Sequence, residues 1–201
     1  MSDSLIQEGG GGSIIIRGGK FYAENTQFRI DASEDNNSLI DIDAENISMI
    51  NSRMNTMPAT TGKGGDILLN AAESVSFSET HLYTYTEGGM KNAGNVHIGA
   101  DNISVGKSFI NTFTSGMGNG GEILFDARNS VLCSDSNMNA DTQSKAQAAG
   151  NAGNIRIKAG NISVKRFDSE QFYEQCGQRR KYHPRCRTIG AIVKICDKFF
   201  G

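Results

Sequence analysis

Short segments in which apolar and polar residues alternate recur along the chain between residues 12 and 164. The segments that open each recurrence read GGSIII, SLIDI, GGDILL, AGNVHI, GGEILF and AGNIRI. Their first apolar residues are Ile14, Ile40, Ile67, Val96, Ile123 and Ile155. The spacings between these residues are 26, 27, 29, 27 and 32, which indicates a degenerate tandem repeat.

Each repeat contains two further segments of the same alternating kind. The second has an apolar pair seven or eight residues after the first, at Phe21/Ala23, Ile47/Met49, Val75/Phe77, Ile103/Val105, Val131/Cys133 and Ile162/Val164. The third lies seven residues after the second in every complete unit, at Phe28/Ile30, Met54/Thr56, Leu82/Thr84, Ile110/Thr112 and Met138/Ala140. Alternation with a period of two predicts strands with one buried and one solvated face, and it excludes amphipathic helices.

Because no unit can bury its apolar face alone, we expect successive units to stack as the turns of a solenoid. The prediction is an all-β fold, a right-handed parallel β-helix of about six turns, five of them complete and the sixth partial. Each turn is expected to contain three short strands whose inward faces form one core. With paired strands about 4.8 Å apart, six turns form a rod roughly 29 Å long.

Small and polar residues recur at the corners of the predicted turns. Two positions before each first strand lie Gly12, Ser38, Gly65, Gly94, Gly121 and Gly153. We interpret these glycines as tight turns that require an unusual φ. Small residues also follow the first strand, at Gly18, Ala44, Ala71, Ala100, Ala127 and Ala159. Asn46, Asn102 and Asn161 precede the second strand and predict a ladder of stacked side-chain amides.

Variation in the length of the unit falls in one place, between the third strand of one unit and the first strand of the next. Insertions confined to one corner are what a solenoid tolerates. The pattern divides the chain into a flexible N-terminal segment (1–11), the parallel β-helix repeats (12–164) and a non-repeat basic tail that contains Cys (165–201).

The tail differs from the repeats in composition. It has nine Lys and Arg against four Asp and Glu, a net charge of +5, whereas the first 164 residues have a net charge of −7. It holds three of the four Cys, and Ser169 stands where the seven-residue step requires an apolar residue. The repeat pattern therefore ends at Val164.

Three interpretations of the tail remain open. The first is a cap that covers the open end of the solenoid with Phe167, Phe172, Tyr173 and the run IGAIVKI. The second is a metal site of Cys176, His183, Cys186 and Cys196, whose separations match no zinc-finger pattern. The third is a segment translated out of frame, which the abrupt loss of the pattern in the middle of a turn favours.

Bulk composition narrows the class of protein. The 24 Gly, 2 Pro and no Trp in 201 residues indicate many turns between strands rather than a linker. A net charge of −2 gives no reason to expect a nucleic-acid partner. No run approaches the roughly 18 apolar residues of a membrane-spanning helix, and the start MSDSLIQEGGGG is not a signal peptide. For an exported protein, we expect the secretion signal to lie upstream of this sequence, or the chain to be a fragment.

Any catalytic or metal-binding residue of a solenoid should lie at the outward positions of its strands. The first strands contribute two predicted columns: Ile15, Asp41, Leu68, His97, Leu124 and Arg156, and then Arg17, Asp43, Asn70, Gly99, Asp126 and Lys158. A Ca²⁺-dependent lyase needs carboxylates clustered on neighbouring turns, and a glycosidase needs two carboxyls at a fixed separation. Asp41 and Asp43 share a turn, but the adjacent turns offer no carboxylate at either position. We therefore expect no catalytic residue, no metal ligand and no cofactor, and not an enzyme.

Three other features carry weaker chemistry. The second strands present an outward column of Tyr22, Ser48, Ser76, Ser104, Leu132 and Ser163, which is either a solvated surface or a glycan-binding surface. His97 has no second His or Cys near it in the repeat, so we expect no metal there. Cys133 falls on a core position and is expected to be a buried structural thiol.

The units GNAGNIRIKAGNISV, KNAGNVHIGADNISV and GMGNGGEILFDARNSV resemble the repeats of large filamentous-haemagglutinin-like exoproteins. The resemblance covers residues 12–164 and is carried by the G-N-x-G-N-I-x-I and N-I-S-V patterns. It implies secretion by a two-partner (type Vb) route, an outer-membrane transporter as a partner and a role in adhesion, aggregation or contact inhibition. On this basis the chain is expected to be an internal or C-terminal portion of such a protein.

The leading expectation for function is a structural and adhesive scaffold, a rod segment of a secreted bacterial surface adhesin. It would lie outside the cell, associated with the outer membrane, and would meet glycans or proteins of host or neighbouring cells. The alternatives are a carbohydrate-active β-helix enzyme, such as a polysaccharide lyase or hydrolase, and a non-catalytic glycan-binding surface.

Overall fold

The structure is a computed structural model that describes residues 3–32, 38–58, 62–87, 91–142, 150–165, 187–188 and 194–195. These residues form strands and no helix. The strands are β1 (Leu5–Glu8), β2 (Ser13–Glu24), β3 (Gln27–Ala32), β4 (Leu39–Ile50), β5 (Arg53–Pro58), β6 (Asp66–Ser78), β7 (His81–Thr86), β8 (Val96–Gly106), β9 (Phe109–Thr114), β10 (Ile123–Ser134), β11 (Asn137–Thr142), β12 (Ile155–Lys158), β13 (Asn161–Lys165), β14 (Arg187–Thr188) and β15 (Lys194–Ile195).

Thirteen of these strands form two parallel sheets. The long-strand sheet has the order β12-β10-β8-β6-β4-β2, with β13 also paired to β10. The short-strand sheet has the order β1-β3-β5-β7-β9-β11. Neighbours in each sheet are elements one repeat apart in sequence, so the predicted parallel β-solenoid is confirmed. There are five complete turns, with β12 and β13 opening a sixth.

The register of the sheets matches the predicted columns. In the long-strand sheet Ile14 pairs with Ile40 and Ile123 pairs with Ile155, as equivalent positions of the repeat should. A slip of one residue would turn each inward side chain outward, so the core fixes this register.

The structure corrects the prediction of three strands per turn. The first and second segments join into single strands of 11 to 13 residues in β2, β4, β6, β8 and β10, and they separate only in β12 and β13. The pairing of β4 with β6 is irregular after Ala44, and the buried positions change from even numbers at Ile40 and Ile42 to odd numbers at Ile47 and Met49. The chain therefore bends between the two segments, and β6 has one extra residue there, between Ala71 and Ser74, while the pairing continues on both sides.

The structure also corrects the N-terminal boundary. Residues 1–11 were expected to be a flexible segment outside the solenoid, but Leu5–Glu8 form β1 and pair with β3 in register. Glu8 further accepts hydrogen bonds from the backbone N–H groups of Gly10 and Gly12, at 2.9 and 2.6 Å. The short segment LIQE was too brief and too isolated to show the alternation on which the sequence argument depends.

One hydrophobic core runs between the two sheets for the length of the solenoid. Its fully buried members include Phe28, Ile40, Met54, Leu82 and Phe125. They come from both sheets, as predicted from the inward positions of the repeat. The core therefore belongs to the stack rather than to any one turn.

The interpretations of the tail lie almost entirely outside the described residues. Residues 166–186, 189–193 and 196–201 are not described, so the cap, the site of Cys176, His183, Cys186 and Cys196, and the out-of-frame segment stay predictions. Only β14 and β15 are described there, as an antiparallel pair of two-residue strands.

Candidate functional site

Each long strand passes into the next short strand through two residues, which we name the two-residue corner. The first residue of each pair has positive φ, between 44° and 54°, at Asn25, Asn51, Glu79, Lys107 and Asp135. The backbone N–H of each donates to a carbonyl of the following turn, for example from Glu79 to Gly106 at 3.0 Å. The left-handed conformation therefore recurs in every turn, although none of these residues is glycine.

The second residue of each corner is a buried Ser or Thr: Thr26, Ser52, Thr80, Ser108 and Ser136. The Ser52 hydroxyl oxygen accepts a hydrogen bond from the Thr26 N–H at 3.1 Å, and the Ser108 oxygen accepts one from the Thr80 N–H at 3.0 Å. The Thr80 hydroxyl lies 3.1 Å from the carbonyl oxygens of Met49 and Ser78. These hydroxyls form a ladder at the edge of the core that sequence reasoning missed. The available signal was a polar residue followed by Ser or Thr within each fixed seven-residue step.

The opposite corner, from a short strand to the next long strand, varies in length, and we name it the variable corner. Its glycines stack on one another, because a Cβ at Gly94 would collide with the carbonyl of Gly65, and one at Gly121 with the carbonyl of Gly94. Among the described residues Gly11 is the only glycine with positive φ. The prediction that these glycines supply an unusual φ was therefore wrong. Close approach of successive backbones is the reason for glycine.

Buried threonines of the short strands secure this corner. The hydroxyls of Thr56, Thr84 and Thr112 donate to the carbonyls of Gly65, Gly94 and Gly121, at 2.6, 2.6 and 2.7 Å. A hydroxyl at an inward position is satisfied in this way without water.

Asparagines of the G-N-x-G-N pattern add a second ladder at the variable corner. The side-chain oxygen of Asn92 accepts the N–H of Asn119, and that of Asn119 accepts the N–H of Asn151, both at 2.8 Å. The side-chain oxygen of Asn95 accepts the N–H of Glu122 at 2.9 Å. The pattern therefore has a structural meaning, in which each amide binds the backbone of the next turn.

The prediction that the amides of Asn46, Asn102 and Asn161 stack on one another was wrong, because none of them lies next to another in the sheet. In the register of the sheet these residues alternate with serines, so that Ser74 lies between Asn46 and Asn102. The Ser74 hydroxyl donates to Asn46 at 2.6 Å, and the Ser130 hydroxyl donates to Asn102 at 2.8 Å. Units of the repeat alternate in sequence here, so amides do not meet on adjacent turns.

The outer columns of the long-strand sheet lie as predicted. Ile15, Asp41, Leu68 and His97 pair in succession, and Arg17 forms an ion pair with Asp41. No group of three or more His, Cys, Asp or Glu that could hold a metal ion occurs within the described ranges. His97 pairs with Leu68 on one side and Leu124 on the other.

The predicted serine column lies on the outward side of the same sheet. Ser48 pairs with Ser76 and Ser76 with Ser104, and the hydroxyl oxygens of Ser48 and Ser76 lie 3.5 Å apart. Cys133 lies in the core, paired with Val105 and 2% exposed, as predicted. Burial raises the pKa of the Cys133 thiol to about 11, so the thiolate that would react is scarce near neutral pH.

The outer face of the short-strand sheet carries an aromatic cluster, which we define as Arg53, His81, Tyr83 and Phe109. The His81 ring meets the rings of Tyr83 and Phe109 edge to face, with centroids 5.8 and 5.0 Å apart. The Arg53 guanidinium lies 5.6 Å from the centre of the Tyr83 ring. A shallow concavity of about 180 Å³ adjoins the cluster and is lined by Asn51, Ser52, Arg53, Glu79 and His81.

Further groups surround the aromatic cluster. Tyr85 and Phe113 stack next to it with their ring planes 6° apart and centroids at 5.3 Å. Burial and, secondarily, the charge of Arg53 lower the pKa of His81 below its ordinary value of 6.5, so the ring is mainly neutral at pH 7. The sequence carried a signal for this face, because the outward positions of HLYTYT and FINTFT alternate with the inward positions already identified.

Comparison with known proteins adds no relative, because no protein-family model, no curated protein and no solved structure matches the chain. The described residues include no helix that could span a membrane.

Proposed function

We propose that this chain is a structural and adhesive scaffold, a rod segment of a secreted bacterial surface adhesin. The observation that carries the proposal is the pairing of equivalent residues in all five complete turns, from that of Ile14 with Ile40 to that of Ile123 with Ile155. A stack of this kind extends in one dimension by adding turns, and each turn contacts only its neighbours. Such a fold provides a long rod rather than an enclosed binding site.

The two corners support a load-resisting role for the rod. Side-chain and backbone hydrogen bonds link successive turns at both corners, in addition to the two sheets. Successive turns are therefore held together at several points at once, by the two sheets and by the hydrogen bonds at both corners. This suits a segment that holds an adhesive surface away from the cell envelope.

The resemblance of the repeats to filamentous-haemagglutinin-like exoproteins supplies the setting of the proposal. Under it, an outer-membrane transporter of the two-partner type exports the full-length protein to the cell surface. Glycans or proteins of host or neighbouring cells are its partners there.

The test displays the full 201-residue chain on a non-adherent bacterium through an unrelated outer-membrane anchor. We expect the cells to adhere to other cells or to aggregate. Deletion of residues 67–122 joins Asp66 directly to Ile123, which is the equivalent of Ile67. This variant should keep the solenoid and shorten it by two turns, or about 10 Å, in small-angle scattering.

The matched control deletes residues 81–122 and joins Thr80 to Ile123, so that a long strand follows a two-residue corner out of phase. We expect this control to lose both the rod dimension and adhesion. Absence of adhesion by the full chain at a verified surface level contradicts the proposal. So does cleavage of pectin-like or other acidic polysaccharides by the purified chain.

A further inference from the structure

The aromatic cluster has the surface chemistry of a binding site rather than of a solvated sheet. Its rings are half-buried on the outer face of β7 and β9, where each is held by edge-to-face contacts with the next. The Nδ1 atom of His81 lies 3.5 Å from both the Arg53 guanidinium and the Tyr83 hydroxyl. The positions of these side chains are therefore fixed by a rigid sheet before any ligand arrives.

Unpartnered polar atoms flank the central ring of this cluster. In the register of the sheet Tyr83 lies between Asn55 and Asn111. The side-chain oxygens of both asparagines are shielded from water and have no hydrogen-bond partner among the described residues, and Asn55 is only 8% exposed. An unpaired buried acceptor is costly, and because protein atoms cover these oxygens a ligand hydroxyl does not reach them in this arrangement of the side chains.

Of the charged groups near the aromatic cluster, the Arg53 guanidinium is available to bind a ligand. Glu79 at the edge of the concavity is 3.4 Å from Lys107, so its charge has a partner. Arg53 forms no ion pair with a carboxylate within the described part of the chain. Its guanidinium can therefore donate hydrogen bonds to a ligand in the plane beside the Tyr83 ring.

We propose that the aromatic cluster and the adjoining concavity bind an uncharged saccharide. A sugar ring has an apolar C–H face that packs on aromatic rings and a rim of hydroxyls that both donate and accept hydrogen bonds. Tyr83 and Phe109 provide the apolar contact, and Arg53 provides donors. The inference rests on the proposed scaffold function, because a saccharide site on the side of the rod is what would make the rod adhesive.

The charge of the rod favours an uncharged ligand over an anionic polymer. The first 164 residues have a net charge of −7, which repels a polyanion at long range. A single Arg without an acidic partner does not offset this. Binding should accordingly depend little on ionic strength.

The experiment applies the full chain to an array of neutral oligosaccharides, including cello-, xylo-, malto- and galacto-series, together with oligogalacturonate and heparin fragments. The strongest neutral ligand is then titrated by calorimetry at low and at high salt. We expect binding to a neutral series that high salt leaves unchanged. Tyr83→Ala should weaken it about tenfold or more, because the variant removes the central ring of the contact.

Two further variants keep the result interpretable. Tyr22→Ala removes an exposed tyrosine from the other sheet and should leave the affinity unchanged. Tyr83→Phe keeps the ring and should cost much less than Tyr83→Ala, which shows that the ring rather than a loss of folding is responsible. Circular dichroism melts of all variants confirm that the solenoid is retained.

Several outcomes overturn the inference. They are no binding of any neutral oligosaccharide at millimolar concentration, binding only to the acidic fragments with loss at high salt, and equal losses from Tyr22→Ala and Tyr83→Ala. Self-association of the chain that Tyr83→Ala abolishes would assign the face to a second copy instead. A rod that adheres but binds no saccharide overturns this inference alone, whereas a chain with no rod dimension overturns the scaffold proposal.

Discussion

The two corners of the solenoid join the same pair of sheets by different physical means. The two-residue corner has a fixed length in all five complete turns, a left-handed residue and a buried hydroxyl. The variable corner spans from four residues, between β1 and β2, to twelve, between β11 and β12. It is anchored by glycine stacking and asparagine ladders close to the start of the long strand.

The difference shows how a repeat can vary in length without losing register. At the two-residue corner every residue is bonded to the next turn, so nothing can be inserted without breaking a buried contact. At the variable corner the last few residues before the long strand are bonded, as is Ser115 directly after β9, and residues between these points extend the connection. Register is thus fixed locally at both corners, while freedom in length is confined to one.

The largest expected effect comes from the glycine stack. Gly121→Ala places a Cβ against the carbonyl of Gly94, where backbone rather than a flexible side chain must move. We expect a loss of about 3 kcal/mol or more in the free energy of unfolding, measured with urea. Gly18→Ala is the matched control, since no heavy atom lies within 4 Å of its added Cβ. Equal stability of the two variants contradicts the close-approach explanation.

Insertions separate the two corners directly. Two glycines inserted between Lys107 and Ser108 should cost about 2–3 kcal/mol, because they remove a left-handed residue and a buried hydroxyl from the inter-turn ladder. The same insertion after Gly116, in the variable corner, should cost less than about 1 kcal/mol, because loop entropy grows slowly with length. Similar costs at both sites would mean that the corners do not differ as described.

A single hydroxyl sharpens the comparison further. Thr80→Val keeps the shape of a buried corner residue and removes the hydroxyl that donates to the carbonyl of Met49 or of Ser78. We expect a loss of about 1–2 kcal/mol in thermal or urea unfolding, because the carbonyls and the neighbouring Ser108 remain buried. Ser76→Ala, on the outer face of β6, serves as the control and should change stability little. If Thr80→Val leaves the free energy of unfolding unchanged, the hydroxyl ladder does not stabilise this corner.

The smallest effect concerns pH at the edge of the two-residue corner. Because burial lowers the pKa of His81 below 6.5, the folded chain binds fewer protons there than the unfolded chain just below that pH. The stability that the neutral His81 ring contributes should therefore be fully present above pH 6.5 and should decline as the pH falls through and below it. Unfolding at pH 5.0 and 7.5 should show a smaller difference for His81→Gln than for the unmodified chain. Identical pH dependence of the two proteins contradicts the shift.

Much of the fold could be predicted because each unit of the repeat provides an independent check on the strands assigned in the others. The positions of Ile40, Val75 and Leu82 recur at matched steps in several units, so alternation, register and core agree with one another. The joining of the first and second segments into one long strand could not be predicted, because a continued ladder and a broken one have the same side-chain pattern. β1 could not be predicted because a single short strand carries no repeat.

The candidate site was harder to predict for a different reason. The repeat reveals what is shared between turns, whereas Arg53, His81 and Phe109 differ from one turn to the next within one column. Their significance depends on the pairing of β5, β7 and β9, which places unlike residues side by side. The buried state of the Asn55 oxygen also depends on side-chain packing that no spacing rule provides.

The most direct test of the solenoid measures distance against the number of turns. Spin labels are placed at Ser163 and at either Ser48 or Tyr22, with Cys176, Cys186 and Cys196 replaced by Ser and the buried Cys133 retained. The two pairs are four and five rungs apart in one outward column of the long-strand sheet. Pulsed electron resonance should give narrow distributions whose means differ by about 4.8 Å. Broad distributions, or means that do not differ by one strand spacing, would contradict the stacked rod.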